Sequence, residues 1–247
     1  MINMVKLSER LKCVAELITP GLKVADIGCD HGYLPIYLIQ NGISDSVIAS
    51  DVNVGPLEKA IDNIETYGLS TSIDTRLSDG LKMFEPEEVQ CIVMAGMGGN
   101  LVIDILNDGV AVTDEAKELI LQPQSDIERV RRYLQSNGFI IVSESMVFED
   151  GKFYPMMKVK HGEQRWDKDV YFIYGKILLR EKNPVLHQFL IQEKDYLVDL
   201  YSNLSCADQT ENVRTRLREV ERKLTYNDEA LEIISSENPV EIDRVLV

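Results

Sequence analysis

The chain has 247 residues, of which 45% are hydrophobic and 27% charged, so it can form a substantial core and is not expected to be disordered. Its net charge of −15 excludes a generally basic surface for nucleic acid or anionic membranes. Four dispersed cysteines and three histidines show no metal-ligand spacing, so neither structural zinc nor a disulfide framework is expected. With no signal-peptide core and no apolar run near the roughly 20 residues that span a bilayer, the sequence predicts a soluble cytoplasmic protein.

Up to about residue 160, short apolar runs alternate with amphipathic segments, which predicts repeated β-α units. A first helix is indicated by apolar residues at helical spacing from Leu7 to Ile18. Buried strands are predicted at residues 22–28, 46–51, 72–77, 90–96 and 118–123, with helices between them. Residues 139–147 and 152–160 flank the turn at Glu149-Asp150-Gly151 and predict a terminal β-hairpin.

This order predicts an α/β fold with a Rossmann-like, seven-stranded sheet whose last strand is antiparallel. That ending is typical of class I methyltransferases, whereas dinucleotide-binding Rossmann domains usually lack it. We therefore assign residues 1–160 to a cofactor-binding methyltransferase domain.

The character of the sequence changes after residue 160. Residues 161–169 are polar and predict a linker, and the remainder to residue 247 predicts a helical domain. Apolar stripes from Leu186 to Leu204 and from Val213 to Leu224 indicate an antiparallel, coiled-coil-like hairpin that breaks at residues 205–210. A shorter helix is expected after Asn227-Asp228.

The turn after the first strand carries the first chemical signal. Gly28 permits a sharp turn and close approach of a ligand, and Asp26 precedes it. A dinucleotide fingerprint would place glycine at position 30, where this chain has Asp30. A carboxylate repels a pyrophosphate but tolerates the positively charged sulfonium and amino groups of S-adenosylmethionine. The alternative is an ordinary turn in which Asp30 caps the next helix.

Acidic residues recur at the ends of the next two strands. Asp51 has the spacing from Gly28 that suits an acceptor for ribose hydroxyls. Asp79, before Gly80, could accept from an adenine amine, although Asp-Gly is also a common turn. The predicted S-adenosylmethionine site comprises Asp26, Gly28, Asp51, Asp79, Gly80, Ala95 and Gly96.

The loop after the fourth strand, residues 95–100, is rich in glycine and lacks the Asn/Asp-Pro-Pro-aromatic motif of many amino-group methyltransferases. It supplies no acid or base. Gly98 lets a flat base lie against the backbone, and the amides around Pro123, those of Gln122 and Gln124, could read a base edge. A solvated turn is the alternative for both glutamines.

Several segments together resemble the bacterial tRNA (adenine-22-N1)-methyltransferase family. They are KLSERL (6–11), DIGCDHGYLP (26–35), SDGL (78–81), MAGMGG (94–99), LQPQ (121–124), EDGKFY (149–154) and REKNPV (180–185). SDGL departs slightly from the usual GDGL but keeps the carboxylate. The resemblance implies S-adenosylmethionine-dependent methylation of N1 of a D-arm adenine in tRNA, and a C-terminal coiled-coil domain.

N1 of a neutral adenine has no proton to lose, so no strong base is needed. Asp30 is the candidate catalytic residue, because a carboxylate near the N6 amine would stabilise the cationic product ring. His31 could reach the same cleft, although a packed or solvent-facing imidazole is the simpler expectation. Arg10 could approach a phosphate or the cofactor carboxylate, with a solvated arginine as the alternative.

An acidic protein needs local basic patches to hold tRNA. Arg214, Arg218 and Arg222 share one helical face. A second cluster on another helix and lysines on one strand could complete a phosphate-binding groove between the sheet and the hairpin; these residues are Arg129, Arg131, Arg132, Lys152, Lys158 and Lys160. An ordinary salt-bridged surface is the alternative, because glutamates interleave with the arginines.

Two other functions stay open: a methyltransferase for another RNA or a small molecule, and an inactive cofactor-binding module. The oligomeric state is left open.

Overall fold

The structure, a computed structural model, describes residues 4–208 and 210–236. The chain divides into two compact units, the first ending at Gln164 and the second beginning at Arg165. The sequence predicts the boundary between the two domains after residue 160. The assignment of a separate role to each domain stays a prediction.

In the part of the chain that the structure describes, the first unit is built on one sheet of seven strands. They are β1 (Val24–Ile27), β2 (Val47–Asp51), β3 (Ile73–Leu77), β4 (Cys91–Met97), β5 (Glu118–Pro123), β6 (Phe139–Glu149) and β7 (Lys152–His161). Every residue of β1, β2 and β5 is buried, as expected for central parallel strands covered on both faces.

The strand order is β3-β2-β1-β4-β5-β7-β6. The strands from β1 to β5 pair in parallel, whereas β7 is antiparallel to both β5 and β6. This confirms the predicted seven-stranded sheet with an antiparallel ending. The order reverses between β1 and β4, the point at which open α/β sheets leave a crevice for ligands.

Between residues 4 and 164, six helices connect the strands or precede them. They are α1 (Glu9–Leu17), α2 (Tyr33–Gln40), α3 (Val54–Thr66), α4 (Gly99–Asp108), α5 (Val110–Thr113) and α6 (Ile127–Ser136). The apolar side of α1 contributes Val14 and Ala15 to the core, and the Ser8 hydroxyl accepts from the Leu11 N–H at its N-terminus. Helix α2 buries Leu34, Pro35, Ile36 and Leu38.

The second unit contains α7 (Asp169–Tyr174), α8 (Lys176–Arg180), α9 (Pro184–Cys206) and α10 (Glu211–Ser235). Helices α9 and α10 are antiparallel, because Lys194 pairs with Asp228 near one end and the Tyr201 hydroxyl bonds to Glu221 nearer the other. The short helices α7 and α8 were not predicted.

The expected break after Asn227 is wrong, since α10 continues through it to Ser235. Asn227 is fully buried, and its Nδ2 donates to the Leu190 carbonyl and to Glu193 Oε2, each at 3.0 Å. The Tyr174 hydroxyl donates to the same carboxylate oxygen at 2.7 Å, and burial raises the pKa of Tyr174. An asparagine whose sequence context suggests a helix end instead forms hydrogen bonds between α10 and α9.

Candidate active site

A cleft of about 440 Å³ lies at the carboxyl ends of β1, β2 and β4, beside the reversal in strand order. Its volume lies within the range of about 300–1,000 Å³ that is usual for small-molecule sites. The predicted site residues Asp26, Gly28, Asp30, Asp51, Asp79, Gly80, Ala95 and Gly96 all line it, together with Arg10. The structure therefore brings together residues that are far apart in sequence.

The turn after β1 is anchored to β2. Gly28 has φ +76°, and a Cβ at this position would collide with the methyl of Met97. The N–H groups of Gly28 and Cys29 both donate to the Ser50 carbonyl, at 2.8 and 2.9 Å. The positive φ favours glycine at this position, whereas the Met97 side chain, being flexible, could move away from an added Cβ.

Asp30 occupies the left-handed region, with φ 52°, and its side chain is 72% exposed at the cleft. The alternative that it caps α2 is wrong, because the residue before the helix is Gly32, and no side chain bonds to that helix end. The Asp30 carboxylate lies 3.6 Å from His31 Nε2. Asp30 is thus an exposed carboxylate held in an unusual backbone conformation rather than a helix cap.

Asp51 is buried at the end of β2, with 8% of its surface exposed. Its Oδ1 accepts from the Asn53 N–H at 2.8 Å, and its Oδ2 accepts a longer bond from the Asp30 N–H at 3.4 Å. A carboxylate has about four acceptor positions, so capacity is left for hydroxyl donors in the cleft.

Asp26 lies on β1 at the base of the cleft and is also buried. Burial, and secondarily the charge of Asp51, raise the pKa of its carboxyl to about 7. The site therefore holds acidic groups whose ionisation in a buried position costs free energy, and a cationic ligand would offset that cost.

Asp79 is exposed, and its Oδ2 accepts from Lys82 Nζ at 2.6 Å. Lys82 also approaches Asp108 on α4 at 3.5 Å. One carboxylate oxygen of Asp79 is thus engaged by a lysine, a partner that the sequence analysis did not anticipate.

Three apolar residues of the cleft were missed by sequence reasoning. Val52 and Leu101 are exposed, and Ile105 on α4 packs against Gly80, where a Cβ would lie 2.9 Å from its side chain. The available signal was positional, because Val52 directly follows Asp51 at a strand end and Leu101 lies in the first turn of α4. Such side chains suit the faces of a flat ring.

The glycine loop predicted at residues 95–100 begins inside β4, at a bulge. The register of β4 on β5 shifts between Ala95 and Met97, and Gly96 has φ +85°. The Gly96 N–H donates to Gln122 Oε1 at 3.1 Å, and Arg10 Nη1 donates to the same oxygen at 2.7 Å. Gln122 therefore joins α1 to the glycine loop.

This arrangement changes the expectation for the two glutamines. Gln122 is fully buried with its oxygen occupied, so its amide does not face the cleft as a base reader. Gln124 is exposed and lines the cleft, and a Cβ on Gly96 would lie 3.7 Å from its Nε2 and 3.5 Å from Arg10 Nη1. Arg10 is half-buried over the Tyr154 ring, 5.5 Å from its centroid, rather than solvated.

Gly98 and Pro123 lie next to the cleft and contact neighbouring residues of the sheet and the adjacent turn. Gly98 precedes α4, and a Cβ on it would lie 3.3 Å from Ser125 Oγ. Pro123 is buried at the end of β5, where it pairs with Met97. Neither is among the residues that line the cleft, so direct contact with substrate is not indicated for them.

The basic residues predicted to bind phosphate differ in exposure and in pairing. Arg214, Arg218 and Arg222, here called the arginine stripe, are exposed on α10, whereas Arg216 pairs with Glu219 at 2.7 Å. The expected phosphate cluster on α6 is wrong for Arg131, which is 1% exposed and pairs with Glu144 at 2.8 Å inside the first unit. Lys158 is likewise engaged by Glu118 at 2.9 Å.

Across residues 4–208 and 210–236, no group of three or more His, Cys, Asp or Glu side chains is placed to hold a metal ion. In the same residues no helix combines the length and apolar character needed to cross a bilayer.

The residues of the cleft fit S-adenosylmethionine by their chemistry. Carboxylates complement its two positive groups, Asp51 has acceptor capacity for ribose hydroxyls, and Val52 and Leu101 offer apolar contact for the adenine ring.

A model of the TrmK family, described as tRNA (adenine(22)-N(1))-methyltransferase, matches residues 24–229. A Bacillus subtilis protein of that description is 33% identical over 93% of this chain and 99% of its own length. A Streptococcus pneumoniae protein solved with S-adenosyl-L-methionine, titled a putative tRNA (m1A22) methyltransferase, is 34% identical, with a TM-score of 0.82 over 92% of this chain and 100% of its own. A Mycoplasma capricolum TrmK solved with S-adenosyl-homocysteine is 26% identical, with a TM-score of 0.80 over 92% of this chain and 99% of its own. The family model and the identity to the Bacillus subtilis protein show the family, and the sheet and the cleft of this chain are consistent with it. The chain belongs to the tRNA (adenine(22)-N(1))-methyltransferase family.

Proposed function

We propose that this chain transfers a methyl group from S-adenosylmethionine to N1 of adenine 22 in tRNA, with the cleft as its active site. The observation that carries the proposal is the convergence of Gly28, Asp30 and Asp51 in one cleft of a chain of this family. Since tRNA is a cytoplasmic molecule, a cytoplasmic location belongs to the same proposal.

Asp26 and Asp51 are the buried acids of the cofactor site. Asp51 accepts the ribose hydroxyls, and Asp26 complements positive charge beside the Gly28 turn. Asp79 accepts from the adenine amine through the oxygen that Lys82 leaves available. When bound, the cofactor supplies an electrophilic methyl group on a sulfonium, and Ala95 and Gly96 border the same space with little side-chain bulk.

Asp30 is the proposed catalytic residue. Its carboxylate is exposed at the cleft, where it can accept a hydrogen bond from the adenine N6 amine. The ring becomes cationic as N1 gains a methyl group, so a fixed negative charge at N6 is worth more in the transition state than in the ground state. The glycine loop carries no base, and this reaction needs none.

Arg10 and Gln124 flank Gly96 and are the proposed polar contacts for the substrate, with Gln122 as the positioning residue for Arg10. Gly98 and Pro123 shape the loop. The arginine stripe is the proposed contact for tRNA phosphates, because its guanidinium groups are exposed.

The test is incubation of the full chain with labelled S-adenosylmethionine and unmodified tRNA, followed by nucleoside mass spectrometry. We expect 1-methyladenosine, mapped to nucleotide 22. Label in another nucleoside would establish a different substrate, and cofactor binding without transfer would establish an inactive module.

A further inference from the structure

Two stacked aromatic rings lie at the cleft, and the proposed function assigns neither of them a role in cofactor binding or in the catalytic step. The rings of His31 and Tyr33 are 5.9 Å apart between centroids, with 23° between their planes. Both residues line the cleft, and Tyr33 is 41% exposed. We call them the aromatic pair.

Core packing does not account for the exposure of Tyr33. It is the first residue of α2, and the following Leu34, Pro35 and Ile36 are buried. A large aromatic side chain therefore remains at the cleft while its neighbours fill the core, and this leaves apolar surface available to a ligand.

The segment that carries the aromatic pair is fixed in position. The His31 carbonyl accepts from Asn63 Nδ2 at 2.9 Å, and Gly32 packs so closely on α3 that a Cβ would lie 3.1 Å from that of Ala60. Because the backbone that carries the ring is already ordered, stacking of a ligand on the ring costs less conformational entropy.

An adenine must leave the tRNA stack before N1 can be methylated, and extruded bases are commonly held by stacking on aromatic side chains. We propose that Tyr33, supported by His31, is the stacking surface for the extruded adenine, whose N6 edge then faces Asp30. This inference rests on the proposed function and identifies the subsite for the substrate base. Because the methylated ring is cationic, the π face of Tyr33 favours it over the neutral ring.

The test is a binding cycle that needs no methyl transfer. Affinity is measured by fluorescence anisotropy for tRNA with adenine at nucleotide 22 and for the same tRNA with an abasic site there. Both are titrated with the wild-type chain, Tyr33→Leu and Tyr33→Phe. The ratio of the two affinities cancels interactions made elsewhere on the tRNA.

If the adenine stacks on Tyr33, Tyr33→Leu should lower the affinity for the adenine tRNA, relative to that for the abasic tRNA, by about 5- to 150-fold. This is the range for base–aromatic stacking. Tyr33→Phe, which keeps the ring, should retain the wild-type ratio. As a matched control, Tyr133→Leu replaces a half-buried tyrosine of α6 outside the cleft and should also retain it.

An unchanged ratio in Tyr33→Leu would overturn the inference. So would a loss of S-adenosylmethionine affinity in calorimetry that equals the loss in tRNA affinity, since Tyr33 would then belong to the cofactor site. These binding results are independent of the nucleoside analysis that tests the proposed function, so the two can fail separately.

Discussion

The cleft and the arginine stripe place opposite charges in opposite environments. In the cleft, Asp26 and Asp51 are buried on the neighbouring strands β1 and β2, where Asp26 pairs with Ala49, two residues before Asp51. On α10, Arg214, Arg218 and Arg222 are exposed among glutamates. The net charge of −15 is a sum over the whole chain, so it does not reveal the local distribution of charge in either region.

The difference indicates two ways of binding. Buried like charges cost folding free energy that a cationic ligand can offset, so they favour a small, specific ligand. Exposed arginines retain their hydration and act through a salt-dependent field, which suits a polyanionic backbone. Substitutions in each region should therefore affect different ligands.

The largest expected effect is on the stability of the free chain with Asp26→Asn. The folded pKa of about 7 lies above the unfolded value near 3.8, so the wild type loses stability as pH rises between these values. The stability advantage of the variant over the wild type should grow through that range and level off above pH 7 at about 4 kcal/mol. Melting curves from pH 4 to 8 measure this, with Glu16→Gln on the exposed side of α1 as the control. A pH-independent difference would contradict a buried, costly charge.

Asp30→Asn should slow methyl transfer by about 100-fold, because the acceptor oxygen remains and the charge is lost. Asparagine tolerates the left-handed conformation at φ 52°, so melting temperature and cofactor affinity should be preserved. The measurement is single-turnover methylation at saturating tRNA and S-adenosylmethionine. A rate near wild type would leave positioning by Arg10 and the glycine loop as the source of catalysis.

Asp51→Ala should weaken S-adenosylmethionine binding by about 1.5–3 kcal/mol, because the ribose hydroxyls lose a charged acceptor. Calorimetry measures the effect, and Asp45→Ala, an exposed acid just before β2, is the control. If the affinity of Asp51→Ala equals that of the wild type, Asp51 is not a cofactor ligand.

The smallest change per residue is expected from the arginine stripe. In Arg214→Gln/Arg218→Gln/Arg222→Gln, the slope of log affinity for tRNA against log salt should decrease by about one for each phosphate that the variant no longer neutralises. S-adenosylmethionine affinity should stay constant, and Arg216→Gln, which removes an ion-paired arginine, is the matched control. An unchanged slope would exclude the stripe from phosphate binding.

The sequence by itself determined the sheet and the location of the cleft. Apolar runs fixed the strands, and the hairpin at residues 139–160 fixed the antiparallel ending. Because parallel strands end at one edge of a sheet, the acids after β1, β2 and β3 had to meet there. These features follow from local pattern and connectivity.

Only the tertiary structure decided where individual side chains point and what they touch. Arg131 on α6 is buried because Glu144 on β6 neutralises it. Gln122 faces inward because the bulge at Gly96 turns an N–H toward it. Gly32 rather than Asp30 precedes α2, which leaves the carboxylate exposed at the cleft. Such outcomes depend on partners distant in sequence, whose proximity is set by packing and not by local spacing.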